Sequence, residues 1–372
     1  MLAFWLWAGG LTPQVAARTD FLAVGGGESR ASTEIALEKN IRYFQRTLQV
    51  LGYDPSQMTY LFAAGKTSEP VVRYLDEAGR ERFKTAEIPF LSGRASLANI
   101  SAWFRQRGDR TTPLFMYFTG HGLRNPSNLD NNTFTVWQEP AVSVQQLAGI
   151  LDSMPARPPV TVMMSQCYGG SFANLIYQGG NPNGSVAMQE RCVFFGTTRA
   201  RVSVGCTPEV NEADYRDYSS SFWAGLSGRD RLGRPVPSAD FNGDGRVSYS
   251  EAHAFAKVDN KTTDVPVATS EVWLQRQANA FQRSQILQQP IRQLLSVADP
   301  SQKYAVTGLI KELGWDQQLS FRQNRYQGDT ADPVTAAFSL RLELELINIG
   351  MGRQLAGNPV LERLRRCEGR SP

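Results

Sequence analysis

From Phe21 to Phe195 the chain alternates between short, wholly apolar runs and longer stretches of helical periodicity, and few folds can accommodate that alternation. "FLAVGGG" (21–27) is a run of the first kind. After it, Leu37, Ile41, Phe44, Leu48 and Leu51 recur at spacings of 4, 3, 4 and 3 residues, which stacks them on one helical face. Ser32 is the candidate N-cap of that helix and Gly52 its stop. The pattern then repeats: "TYLFAA" predicts a strand, "SLANISAWFRQ" a helix, "PLFMYF" a strand, "SVQQLAGIL" a helix, and "VTVMMS" and "CVFFGTT" two more strands. Apolar strands joined by helices imply βαβ units, hence an α/β fold with a mostly parallel sheet covered on both faces.

Beyond Trp273 the sequence turns Gln-rich and helical, broken at Pro290, Pro300 and Pro333, with no run that reads as a buried strand. Three parts are therefore expected: an N-terminal segment (1–20), an α/β domain (21–275) and a helical C-terminal region (276–372). In the first part, the apolar run from Leu2 to Leu11 and the small residues Val15, Ala16 and Ala17 resemble a signal peptide and its cleavage site. The run is too short to span a bilayer, and no Lys or Arg precedes it. Export to a secreted or periplasmic location is the expectation, with a cytoplasmic protein carrying a loosely packed terminus as the alternative. A formal charge of +4 over 372 residues, with no basic run interleaved with aromatics, argues against a nucleic-acid partner. Four cysteines are too few for a disulfide scaffold and allow at most one structural bridge beside a catalytic thiol. Cys192 and Cys206 could form it, or both could be buried thiols.

In open parallel sheets, functional groups collect at the carboxyl ends of the strands. "PLFMYFTGHG" delivers His121 to such an end, and "VTVMMSQCYGG" delivers Cys167 to another. If the two strands are neighbours, the imidazole can activate the thiol as a nucleophile. Gly120 and Gly122 allow the chain to turn around His121, while Gly169 and Gly170 leave room beside Cys167. The N–H groups of Gly122 and Cys167 are candidate donors to an oxyanion. Taken singly, a cysteine or histidine after a strand is more often a packed residue; it is their joint placement that points to catalysis. No third, orienting residue can be picked out.

These two motifs, "MYFTGHG" and "VTVMMSQCYGGSF", resemble the His-Gly and Cys strand ends of caspase-like cysteine peptidases, and within them the legumain family. The likeness runs on through "GTTRARVSVGCTPEVNEADYRDYSSSFWAGL" and covers about residues 21–273. It implies a caspase-like α/β/α sandwich and peptide cleavage through a thioester, with His121 as general base and acid and Cys167 as nucleophile. It also implies that the substrate's first side chain is held by Arg30 and Asp217, with Ser165 nearby, where the family has an acid. The bland reading of Arg30 and Asp217 is a surface arginine and a helix-capping aspartate. Ala31 and Glu28 also depart from the family pattern, so peptides ending in Asn, Asp, Arg or Lys are all candidate substrates.

"DFNGDGRVSYSE" (240–251) matches a twelve-residue calcium loop of the EF-hand type. Asp240, Asn242 and Asp244 supply side-chain oxygens, Gly245 the turn, Arg246 its carbonyl, Ser248 a water-mediated contact and Glu251 a bidentate carboxylate. "RLGRPVPSA" before it is a poor entering helix, and no second loop accompanies it, so a structural Ca2+ is expected rather than a sensor. His253, one turn into the exiting helix, is expected to be packed or exposed rather than catalytic. The overall expectation is a calcium-stabilised cysteine endopeptidase with a peptide or protein substrate. The alternatives are a transpeptidase or ligase using the same thioester, and an inactive scaffold that binds a partner.

Overall fold

The computed structural model of the protein describes residues 19–107, 110–327 and 332–372, so the signal-like segment and its cleavage site at 15–17 lie outside the described residues. The strands, in chain order, are β1 (Asp20–Gly26), β2 (Thr59–Phe62), β3 (Val72–Leu75), β4 (Glu81–Lys84), β5 (Leu114–Gly120), β6 (Gly122–Leu123), β7 (Thr133–Phe134), β8 (Val142–Ser143), β9 (Val160–Met164), β10 (Arg191–Phe195) and β11 (Val267–Ala268). Six of them form the central sheet in the order β11-β10-β9-β5-β1-β2. Five of these run parallel, and β11 closes the edge antiparallel to β10. The hairpin β3-β4 and the ribbon β6-β7-β8 stand apart from it.

The strict period of two along the strands sorts their side chains into two cores. Phe21, Ala23, Phe115, Tyr117 and Phe194 pack under α1 (Ile35–Val50), while Leu22, Val24, Met116, Phe118 and Phe195 pack under α2 (Leu97–Arg105) and α3 (Val144–Asp152) on the opposite face. The first face is completed by α4 (Tyr218–Ser227) and α5 (Tyr249–Asp259), through Phe222, Trp223, Tyr249 and Ala252. The result is the expected three-layer α/β/α arrangement. Ser96 and Ser143 cap α2 and α3 by accepting from Asn99 N and Gln146 N. Gly52, at φ +84°, ends α1 as expected, but α1 starts later than Ser32 and has Glu34 at its N-cap position. Ser32 belongs to a short 3-10 turn, Arg30–Ser32, which turns its carbonyl toward the strand ends.

The C-terminal helices are α6 (Thr269–Gln277), α7 (Ala280–Gln288), α8 (Ile291–Leu295), α9 (Pro300–Leu313), α10 (Phe321–Gln327), α11 (Pro333–Gln354) and α12 (Pro359–Glu368). Residue 276 falls inside α6, whose first residue, Thr269, accepts from Val193 N and donates to Val193 O on β10. These helices share a third apolar core that includes Ile176 and Tyr177 from the α/β part. A disulfide between Cys192 on β10 and Cys367 on α12, with Cα atoms 5.9 Å apart, fastens the tail to the sheet. That pairing overturns the suggested Cys192–Cys206 bridge. Cys192 lies near the start of β10, whereas Cys206 follows that strand and donates to Gly120 O at the opposite, carboxyl end of the sheet. Among the described residues no helix is long and apolar enough to cross a membrane.

Candidate active site

The strand order places a switch point between β1 and β5: the chain first steps outward from β1 to β2, then returns to lay β5 on the other side of β1. Crevices at such points, outside the carboxyl ends of the strands, are where α/β sheets hold ligands. The β1–α1 connection, the end of β5 and the end of β9 all lie at this carboxyl end of the sheet. Strands β5 and β9 are direct neighbours, with Phe118 opposite Met164, so His121 and Cys167 each lie three residues beyond the same registered pair.

Glycine makes that approach feasible. A Cβ on Gly122 would sit 1.9 Å from the Cys167 carbonyl oxygen, so only hydrogen fits between the two loops. On the β6-β7 ribbon the ladder bond runs from Thr135 N to His121 O at 3.0 Å, with Gly122 opposite Phe134. That register makes Gly122 and Phe134 a non-hydrogen-bonded pair and leaves the Gly122 N–H outside the ladder. Past Cys167, Tyr168 takes a left-handed conformation at φ +58° and starts the 3-10 helix Gly169–Ile176. The nucleophile candidate thus sits on a tight strand-to-helix turn.

The two side chains belong to the same end of the sheet, but each is engaged elsewhere. Cys167 Sγ accepts from Ser203 N at 3.2 Å, and burial pushes its thiol pKa up despite that donor. Ser203 is in turn fixed by Asp264, whose carboxylate accepts from Ser203 Oγ at 2.8 Å and from Val204 N at 2.9 Å. Burial raises Asp264 to about 6 against the pull of those donors. His121 Nε2 lies 2.9 Å from Ser32 O and 3.0 Å from Glu34 Oε2. Burial opposes a charge on the ring, but hydrogen bonds to Cys206 and Glu34 outweigh it and carry His121 to about 11. Glu34 shows the reciprocal shift: burial works against its charge, but His121 and Arg73, whose Nη2 is 2.8 Å from Oε1, hold its pKa down.

Glu34, Cys206, Ser203 and Asp264 escaped sequence reasoning. Glu34 is the acid that holds the His121 ring, and only the adjacency of β1 and β5 reveals it. The signal for it was faint: an acid just after the first strand.

The residues expected to hold a substrate side chain each have partners within the chain. Asp217 caps α4 and is 1% exposed. Its Oδ1 accepts from Ser220 N and Oγ, and its Oδ2 from Ser219 Oγ, Asn40 Nδ2 and Tyr215 Oη. Arg30 is exposed, with its guanidinium 3.9 Å above the ring of Phe83 on β4. Ser165 is buried and donates both N–H and hydroxyl to Phe118 O.

The 240–251 loop folds around its own carboxylates. Asp240 Oδ1 accepts from Gly243 N and Asp244 N, and Oδ2 from Gly245 N, with Gly245 at φ +84° as the sixth position requires. Asn242 Oδ1 accepts from Asp244 N, and Asp244 Oδ1 from Arg246 N. Glu251 is buried; Oε1 accepts from Phe241 N and Asn242 N, and Oε2 from Ser248, which caps α5. The oxygen-only donor set and the turn suit Ca2+. No helix enters the loop; α4 ends at Ser227. Glu34, His121 and Cys206 form the one group of three or more His, Cys, Asp or Glu side chains among the described residues whose ligand atoms all lie within 4.8 Å of one another.

No protein-family model and no curated protein matches this chain. Among solved structures it is similar to protein GSU0716 from Geobacter sulfurreducens, at 13% identity, covering 68% of this chain and 92% of that one. The TM-score of 0.40 is too low for that likeness to speak to fold or function.

Proposed function

We propose that the protein is a cysteine-type endopeptidase of the caspase-like, legumain-type class, with Cys167 as nucleophile and His121 as its acid–base partner. The observation that supports it most is the shared register of the two residues on adjacent strands, at the sheet's switch point. In this reading, a peptide entering the crevice displaces His121 from Glu34 and Cys206, the imidazolium gives up its proton to solvent once those partners are lost, and the neutral imidazole takes the Cys167 proton. The thiolate sulfur attacks the scissile carbonyl carbon, and the N–H groups of Gly122 and Cys167 stabilise the oxyanion. His121 then hands its proton to the leaving amine, giving a thioester, which water hydrolyses to release the acid and restore the thiol. Asp240, Asn242, Asp244, Arg246, Ser248 and Glu251 would hold the Ca2+, and an ion there would brace the start of α5, which leads to Asp264 and so to Ser203 beside Cys167. The disulfide between Cys192 and Cys367 fits an exported protein.

The raised Cys167 thiol and its bond to Ser203 rather than to His121 favour a second reading, a catalytically silent scaffold of the same fold. One experiment separates the two. Purified protein is screened against a fluorogenic peptide library varied at the first position, beside Cys167→Ala with its melting temperature recorded. Cleavage by the parent chain that Cys167→Ala abolishes at unchanged melting temperature supports the peptidase. Absence of cleavage, or cleavage that survives the substitution, overturns it. Chelating Ca2+, or Asp244→Ala, lowers the melting temperature if the loop holds a structural ion.

A further inference from the structure

Cys206 takes no part in the proposed reaction, yet its thiol stands at the switch-point crevice beside the one histidine that does. Its Sγ donates to Gly120 O at 3.6 Å, on the last residue of β5, immediately before His121. Glu34 enters from the β1–α1 connection, and its Oε1 is already held by Arg73 Nη2 at 2.8 Å, which leaves Oε2 directed at the imidazole. Three strands' worth of connections therefore converge on one point: β1 supplies the carboxylate, β5 the imidazole, and the segment after β10 the thiol. The ligand atoms of all three lie within 4.8 Å of one another.

We propose that Glu34, His121 and Cys206 form a site for a divalent transition ion of the Zn2+ class, and that its occupancy silences the dyad. A thiolate, an imidazole and a carboxylate make a mixed S/N/O donor set that suits Zn2+, whereas Ca2+ and Mg2+ prefer oxygen alone. Zn2+ bonds of about 2.0–2.3 Å place tetrahedral ligand atoms a little over 3 Å apart, and the 3.0 Å separation of His121 Nε2 from Glu34 Oε2 is already near that. Arg73 supplies the outer bond that fixes the carboxylate's orientation. Binding exchanges the ion for two protons, one from the imidazolium and one from the Cys206 thiol, both released to solvent. The fourth position is open to water. An ion here occupies the His121 nitrogen that the reaction needs, so it inhibits without touching Cys167.

The inhibitory consequence rests on the proposed peptidase function; the binding site does not. The test is a titration of the full chain with Zn2+, with Ca2+ in excess to satisfy the 240–251 loop, and a parallel titration with Co2+ to read its thiolate charge-transfer band. One equivalent is expected to bind, with that band. Cys206→Ser, checked by melting temperature, should abolish the band and weaken binding by about 100-fold or more, and Glu34→Gln by roughly 10- to 100-fold. Cys167→Ala should leave both unchanged. No binding by the parent chain, a band that survives Cys206→Ser, or one lost in Cys167→Ala overturns the site. If metal binds as described and no peptide is cleaved in its absence, the site stands and the peptidase reading falls. If peptides are cleaved and added Zn2+ does not inhibit, the silencing is wrong.

Discussion

The protein's two histidines occupy opposite kinds of ground. His121 stands at the carboxyl end of β5 between two glycines, and its contacts with Glu34 and Cys206 carry its pKa to about 11. His253 is 3% exposed inside α5, its Nδ1 lies 2.8 Å from Tyr218 Oη, and burial drives its pKa down. Around His253 lies a cavity of about 310 Å³ between α5, α6, α9, α11 and α12, where Lys257 pairs with Glu271 and Glu345. Both regions gather an imidazole, carboxylates and a further polar group. The difference is in what carries them: at the carboxyl end of the sheet the groups sit on connections that follow strands, while His253, Lys257, Glu271 and Glu345 sit on helices and are buried.

That contrast can be broken most directly at Lys257. Replacing it with Met leaves Glu271 and Glu345 enclosed without their cation, and breaking a buried ion pair in this way costs about 3–5 kcal/mol. Chemical denaturation should show a loss of that order. A change below about 1 kcal/mol would mean that the cavity admits water freely and that the two regions differ less than their burial indicates.

A second, smaller effect sharpens the description of the cavity. Glu368 on α12 is 4% exposed, and burial lifts its pKa to about 7, although Ser270 donates both N–H and hydroxyl to it. Its folded value exceeds its ordinary value of 4.5, so the native chain holds this proton while the unfolded chain has lost it. Stability attributable to Glu368 is therefore greatest below about pH 4.5 and declines as pH climbs toward 7, by about 3 kcal/mol at most. Glu368→Gln should flatten that decline, so that the variant gains on the parent from pH 5 to pH 8. A constant difference across that range would show that Glu368 is charged throughout.

The same contrast explains what could be read from the chain alone. The sheet's parallel strands and the helices between them announced themselves through period and length, because apolar burial writes directly into sequence. The His121 and Cys167 motifs were legible for the same reason: each ends a recognisable strand. Glu34, Cys206, Ser203 and Asp264 were not, since they come from irregular connections that only the strand order brings together. The Cys192–Cys367 bridge was missed because it crosses from β10 to α12, 175 residues away, and depends on how the tail packs. The two-residue β11 is too short to carry a periodicity at all.

The smallest effect expected is at His121 itself. Its side chain is 27% exposed, and a partly solvated pair such as His121 with Glu34 contributes about 1 kcal/mol or less. The sign follows from the raised pKa: the contribution is complete below about pH 6.5, the ordinary histidine value, and is lost as pH rises toward about 11. His121→Gln should therefore lower stability by under about 1 kcal/mol at pH 6, and by less at pH 9. Under the proposed reaction the same substitution removes peptide cleavage altogether. A residue whose loss hardly moves the melting temperature but eliminates activity is held for chemistry, and the reverse is expected of His253. If His121→Gln proves as destabilising as Lys257→Met, the crevice is a structural ion pair, and its resemblance to an active site is one of layout alone.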